Sequence, residues 1–521
     1  MKRMNRLTLL SFVLLSLAGC DKDFEQINTN PAAVINVDPG YLFSNAQRLT
    51  EPGSWEGEST IAQQFVNAYN LGTTAGFQFN LNADIHNRNR FNNTYSGPIK
   101  HLEHIISLVK DDASRSNLYQ QARIWRACNY MTLVDAYGDV PYSEAGKAYL
   151  AGVYYPKYDK DEEIYADLYK ELKEATAALD AAKDGNKFDL FYNGNVDAWK
   201  RLGYSLLLRL GMRYSKSDPN KARSIAQEAF RGGVMQSNSD DAVVKYLTPA
   251  NQPVAGFENP LNTPIRNNNP YYYYLTEPLV NLLKSTSDPR LKYISAKYGD
   301  QTIAPSNASP DTTTANQYGF PIGYSDATLS SYPGYRPPVG KGQNYSQVNF
   351  NVVGNATAPV FYITHAQTQL LLAEAAFRGW LTGLAGARTA QEYYEAGVRA
   401  SMDQYALYPN VQSPAIPSGL QNGYLAHPAV AYNQADALRQ INTQYWIASL
   451  GNGLEAWANF RRSGFPALAP NNFNSNLQGG FVRRMAYPVS ESAVNTEHYK
   501  TAVASMGGKD DLVTRVFWDT P

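Results

Sequence analysis

A chain of 521 residues, 44% hydrophobic and 18% charged, is long enough and apolar enough to bury a sizeable core. Its 46 Lys and Arg balance 46 Asp and Glu, so no long-range field favours nucleic acid or an acidic surface. With two cysteines there is almost no material for a disulfide framework.

The chain opens with Lys2, Arg3 and Arg6, followed by an apolar run from Leu7 to Leu17. That run is far shorter than the roughly 20 residues a membrane-spanning helix needs, so it reads as a secretory signal over residues 1–19. It ends in Leu17-Ala18-Gly19-Cys20, which looks like a bacterial lipobox. Acylation at Cys20 would make residues 20–40 a lipidated tether and leave Cys128 as a lone thiol in an apolar helical stretch, a small core residue.

Helical periodicity recurs from there on. Leu102, Ile105, Ile106 and Val109 share one face, and Tyr119 to about Tyr137 forms a central helix stopped by Gly138 and Pro141. Ile164 to Leu179 forms a stripe entered through a capping-box-like Asp159 and Glu162. Trp199 to Leu210 follows Asn195 as N-cap, and Ala222 to Phe230 follows Ser217-Asp218-Pro219. Ile363 to Trp380, Tyr394 to Tyr405 after a Thr389–Glu392 capping box, and Leu438 to Ala448 complete the set. Strict alternation is scarce, so the fold class is all-α, built from helical hairpins. Stacked hairpins suggest a tetratricopeptide-like scaffold, although no clean repeat of about 34 residues is visible.

Residues 249–359 break the pattern. They hold 14 of the 29 prolines, a density that excludes long helices. They are also rich in tyrosine, of which the chain has 38 against 20 Phe and 7 Trp. Such a loop-rich insertion on a helical scaffold is where binding is expected, since tyrosine offers a flat apolar face with a polar rim. Candidate ligand residues are Phe77, Phe79, Arg88, Arg90 and Asn92, with the insertion tyrosines Tyr271, Tyr272, Tyr273, Tyr274, Tyr318, Tyr324, Tyr332 and Tyr335. The alternative for each tyrosine is packing.

Catalytic motifs are sparse. His101 and His104 lie one helical turn apart but lack the HExxH order, and no metal or other cofactor is assigned. Gly451-Asn452-Gly453-Leu454-Glu455-Ala456 matches a dinucleotide fingerprint by letters but follows a helix, so it reads as a helix stop and restart. Asp135 and Asp139 are a carboxylate pair of the kind glycoside hydrolysis uses, but beside Gly138 they suit turn capping equally well. The reading is a binding protein and not an enzyme.

Several blocks resemble the SusD/RagB family. They include Asp135-Ala136-Tyr137-Gly138-Asp139-Val140-Pro141-Tyr142-Ser143-Glu144-Ala145, Asp288-Pro289-Arg290, and Leu372-Ala373-Glu374-Ala375, with Gln367 where a Glu is usual. Gly453-Leu454-Glu455-Ala456-Trp457 and Arg461-Arg462-Ser463-Gly464-Phe465-Pro466 belong to the same set. The resemblance implies a nutrient-binding lipoprotein anchored in the outer membrane and facing the cell exterior. It would take oligosaccharide and act as a lid on a SusC-like TonB-dependent transporter, with residues 41–521 as one α-helical domain. It implies no ligand site: Asp135, Tyr137 and Arg461 read as structural, and Arg461 or Arg462 is expected to pair with an acid or cap a helix end. Two other readings stay open, an oligopeptide-binding member of the family and a helical-repeat adaptor without a small ligand. Whether a structural calcium is present is not decided by these residues.

Overall fold

The structure, a computed structural model, describes residues 37–68, 79, 85–183, 185–247, 258–267, 270–299, 302–337, 344–477 and 479–521. The Leu7–Cys20 segment, the tether as far as residue 36, and Phe77 lie outside the described residues.

The helices form two stacks. The first contains α1 (Pro39–Leu49), α2 (Ile85–Thr94), α3 (Lys100–Val109), α4 (Ser116–Tyr137), α5 (Asp161–Ala178), α6 (Val196–Arg213) and α7 (Pro219–Gly232). From α3 to α7 each helix packs on the next, as in a tetratricopeptide-like array. The second stack follows a long intervening segment that carries α8 (Glu277–Ser285), itself too rich in proline for anything longer. It comprises α9 (His365–Phe377), α10 (Ala390–Asp403), α11 (Ala437–Ala448) and α12 (Gly453–Ser463), with α9 against α10 and α11, and α11 against α12. Near the C-terminus α13 (Thr496–Ser505) closes the first stack. Among the described residues no helix is long and apolar enough to cross a membrane.

Local chemistry sets most helix boundaries. Asn195 accepts from the Ala198 N–H at 3.0 Å, Asp218 from Lys221 at 3.0 Å, and Thr389 exchanges bonds with Glu392 in a full capping box. Gly138 ends α4 with φ of +79°, a conformation that suits glycine. Gly203 serves close approach, since a Cβ there would fall 2.1 Å from Thr176 Oγ1 on α5. Asn452 caps α12 just after Gly451, so the apparent dinucleotide motif is a helix stop and restart.

One expected cap is wrong. Asp159 does not open α5: its carboxylate accepts from the Ser143 N–H and hydroxyl and pairs with Lys157. The α5 start is instead held from a distance, with Asp139 accepting from the Asp161 N–H at 2.9 Å.

Among the described residues the strands are short and antiparallel, and each sheet has two. β1 (Phe65–Asn67) pairs with β5 (Tyr273–Leu275), β2 (Val140–Pro141) with β3 (Tyr158–Asp159), and β6 (Ser295–Ala296) with β7 (Gln347–Val348). β4 (Ala242–Val244) pairs with β8 (Val360–Ile363), so the two ends of the proline-rich segment leave the helices side by side.

The core between the stacks is polar at its centre. Arg213 on α6 reaches Asp135 on α4 at 3.0 Å and Glu455 on α12 at 2.7 Å. Tyr165 and Trp518 also donate to Asp135, and Tyr445 donates to Glu455. Burial would raise the Glu455 carboxyl, but Arg209 and Arg213 outweigh it and hold it down to about 2. A second knot joins Arg462 to Glu374 at 2.7 Å, with Asn442, Asn459 and Ser215 completing its bonds. A third joins Arg290 to Asp288 at 2.6 Å, with Ser401, Tyr424 and Gln444 around it. Arg461 lies over the Trp457 ring at 3.7 Å and donates to two backbone carbonyls. Gln367 at the end of this network accepts from Arg209 at 2.6 Å, which a neutral amide does without adding a charge.

Cys128 lies on α4, buried, and burial pushes its thiol up to about 12. In a Cys20→Ser variant, where Cys128 is the sole thiol, Ellman's reagent is expected to react only after unfolding. Stoichiometric reaction in native buffer would contradict this placement.

Candidate ligand face

The tyrosine run 271–274 divides at the start of β5. Tyr271 and Tyr272 form a half-buried turn, whereas Tyr273 and Tyr274 are 5% and 1% exposed. Strand pairing puts Tyr273 beside Phe65 at 5.8 Å and Tyr274 face to face with Phe320 at 4.9 Å. β5 is covered on both sides because Leu275 also bonds to Ser346 and Phe320. Tyr273 and Tyr274 are therefore core residues, which is the packing alternative left open for each tyrosine.

Three further candidates are committed elsewhere. Phe79 is buried. Arg90 is 4% exposed, and its guanidinium binds Glu58 at 2.6 Å and the Glu51 carbonyl at 2.7 Å. Tyr318 is half-buried, with the Arg336 guanidinium 3.5 Å from its ring centre and Lys284 at 4.3 Å. A ring held between cations has little face left for a sugar. Arg88 and Asn92 stay exposed on α2.

Three of the remaining candidates come together. Tyr324 stacks on Phe473 with ring centres 4.3 Å apart and planes 16° from parallel, and Tyr332 meets Tyr324 edge-on at 5.1 Å. The Tyr332 hydroxyl donates to Glu277 at 2.9 Å; burial, then this bond, pushes it up to about 12 and fixes the ring. A turn with the Tyr335 N–H on the Tyr332 carbonyl carries the exposed Tyr335 alongside. Gly323, with φ of +89°, permits the shelf, because a Cβ there would strike Asn471 Oδ1 at 2.3 Å. The Asp326 N–H binds the Ala68 carbonyl, so the shelf adjoins the point where the chain leaves β1.

Phe473 was not among the expected residues. It sits about 150 positions from Tyr324 in a loop without periodicity, Asn471-Asn472-Phe473-Asn474-Ser475-Asn476. The available signal was a single aromatic among amides, and Asn472 and Asn474 are exposed beside it. Flat rings with neighbouring amides suit a neutral, polyhydroxylated ligand.

The other candidate chemistry is used by the fold. His101 binds the Gly97 carbonyl and Asn45, and His104 packs edge-on against Tyr149. Among the described residues no group of three or more His, Cys, Asp or Glu is placed to hold a metal ion. Asp135 and Asp139 are both buried, and Asp139 takes the Ser505 hydroxyl as well as the Asp161 N–H.

No curated protein matches the chain. A solved structure described as a chitin-binding protein is 29% identical, covers 93% of this chain and 100% of its own, and superposes with a TM-score of 0.78. A SusD-like protein of Bacteroidetes AC2a is 27% identical over the same shares, with a TM-score of 0.79. A chitin-binding SusD homolog from Flavobacterium johnsoniae, 24% identical over 92% of this chain and 97% of its own, has the same fold at a TM-score of 0.69. A family model described as SusD-like, starch-binding associating with outer membrane, matches residues 30–488, and the chain belongs to that family.

Proposed function

We propose that the protein is a non-catalytic lipoprotein, anchored through Cys20 on the outer face of the outer membrane. It captures a neutral oligosaccharide and passes it to a SusC-like TonB-dependent transporter. The observation that carries this reading is the Tyr324–Phe473 stack with Tyr332 and Tyr335 beside it, rings backed by protein and bordered by the amides of Asn472 and Asn474. The family description supports a glycan, and the 29% identical chitin-binding relative makes chitin oligosaccharides the first ligands to test, with malto-oligosaccharides next.

Calorimetry against chitin oligosaccharides, malto-oligosaccharides and mixed oligopeptides tests it. Saturable binding of one glycan, recovered intact by mass spectrometry, is expected. Binding confined to peptides, or release of shortened sugars, would overturn the reading. A Cys20→Ser protein is expected to leave the membrane fraction, and protease treatment of intact cells is expected to degrade the parent.

A further inference from the structure

A second groove lies away from this shelf, between α2–α3 and the loop that joins β2 to β3. Its volume is about 670 Å³, within the range of ligand clefts at roughly 300–1,000 Å³. Tyr95 and Pro141 lie at its floor, tied together because the Tyr95 hydroxyl donates to the Pro141 carbonyl. Three tyrosines stand at its rim: Tyr149, 53% exposed; Tyr154, 70%; and Tyr155, 59%. Large aromatic rings this open to water are unusual on a finished surface.

The rim is held in place. Ser143 binds Asp159 at the base of the loop, His104 packs on Tyr149, and Asn495 donates to the Pro156 carbonyl at 2.9 Å. The opposite wall is pinned where Tyr158 donates to Glu491 at 2.8 Å. Binding there would cost little loop ordering.

The polar groups narrow the class of ligand. The Asn92 amide, the Lys100 ammonium and the hydroxyls of Tyr154 and Tyr155 have no hydrogen-bond or ion-pair partner among the described residues. An apolar partner surface would leave them unsatisfied, whereas a chain of hydroxyl and amide groups would satisfy them. Lys100 and Glu491 are the charged residues that line the groove, one of each sign, so a neutral ligand fits better than an acidic one.

We infer that this groove is a second carbohydrate site, which takes a neutral polysaccharide strand independently of the Tyr324 shelf. The inference rests on the glycan-binding reading above. Two sites on one rigid chain would bind a polymer more tightly than either alone, with no further contact needed.

Affinity electrophoresis of the full mature chain, in gels cast with glycol chitin or soluble starch, tests it. The probes are those two polymers, and the variants are Tyr154→Ala/Tyr155→Ala, Tyr324→Ala and the combination. Thermal melting confirms that each is folded, which the exposure of Tyr154 and Tyr155 favours. The groove variant is expected to bind the retarding polymer about tenfold more weakly, and the combination is expected to migrate as in a blank gel. If the groove variant migrates like the parent while Tyr324→Ala is not retarded, the groove proposal is overturned and the shelf stands. If only the groove variant loses retardation, the groove stands and the shelf is wrong. Absence of retardation of the parent on both polymers would overturn both.

Discussion

Replacing Arg213 with methionine is expected to destabilise the protein by about 3–5 kcal/mol, because it leaves buried charge without its partner. Arg213 is 1% exposed and joins Asp135 to Glu455, so its loss affects α4, α6 and α12 together. A domain is typically stable by about 5–15 kcal/mol, so much of the margin would go. Guanidinium denaturation measures it, and a change under 1 kcal/mol would show that the network is not what joins the two stacks. The same residues set the acid limit. Glu455 and Glu374 are each held down to about 2, below the ordinary 4.5, because arginine pairing outweighs burial. A carboxyl whose folded pKa is depressed contributes stability in full above its unfolded value and loses it as pH falls through the folded one. Stability is therefore expected to decline from about pH 4.5 towards pH 2, and Glu455→Gln should flatten that slope while lowering stability at pH 7. An unchanged slope would count against the ion pairing of Glu455.

Tyr324→Ala is expected to weaken glycan binding by about ten- to a hundredfold, or roughly 1.4–2.8 kcal/mol, as loss of a central aromatic anchor does. The stack on Phe473 goes with it, and the edge contact to Tyr332 loses its partner. Tyr324→Phe keeps the ring and is expected to keep most of the affinity. Tyr273→Ala is the informative contrast. That ring is buried against Phe65, so its removal should cost about 3–5 kcal/mol of stability while folded molecules keep the parent's affinity. Equal loss of affinity in the two alanine variants would mean that the shelf is supported indirectly and does not touch ligand.

The contrast between these tyrosines shows how far the chain could be read in advance. Asn195, Asp218 and Thr389 were legible because a cap acts within three or four residues. Asp159 was misread because the pairing of β2 with β3, a non-local event, claimed its carboxylate for Ser143. The family blocks were legible for a different reason. Asp135, Glu374, Glu455 and Arg462 belong to buried ion pairs that join distant helices, and the local Asp288–Arg290 pair reaches two more through Ser401 and Gln444. Such residues have few tolerable replacements, so they form motifs. The proposed ligand face leaves no such trace. Four neighbouring tyrosines include two that fill the core, and the ring that completes the shelf comes from an asparagine-rich loop in the second half of the chain.

The pairing of β4 with β8 has a consequence for how such a protein changes its diet. Because Val244 and Val360 sit opposite each other, everything between them enters and leaves through one narrow doorway. Lengthening that cassette adds little closure cost, since each doubling of a loop costs only about 0.6 kcal/mol. It is not wholly portable, however: Trp55 donates to Asn262 inside it, and β1 pairs with β5. A transplant of residues 245–359 between relatives should therefore carry the donor's binding preference with it only when Trp55, Phe65–Asn67 and Phe473 travel too. A graft made without them is expected to fold as a helical frame bearing a loosened face.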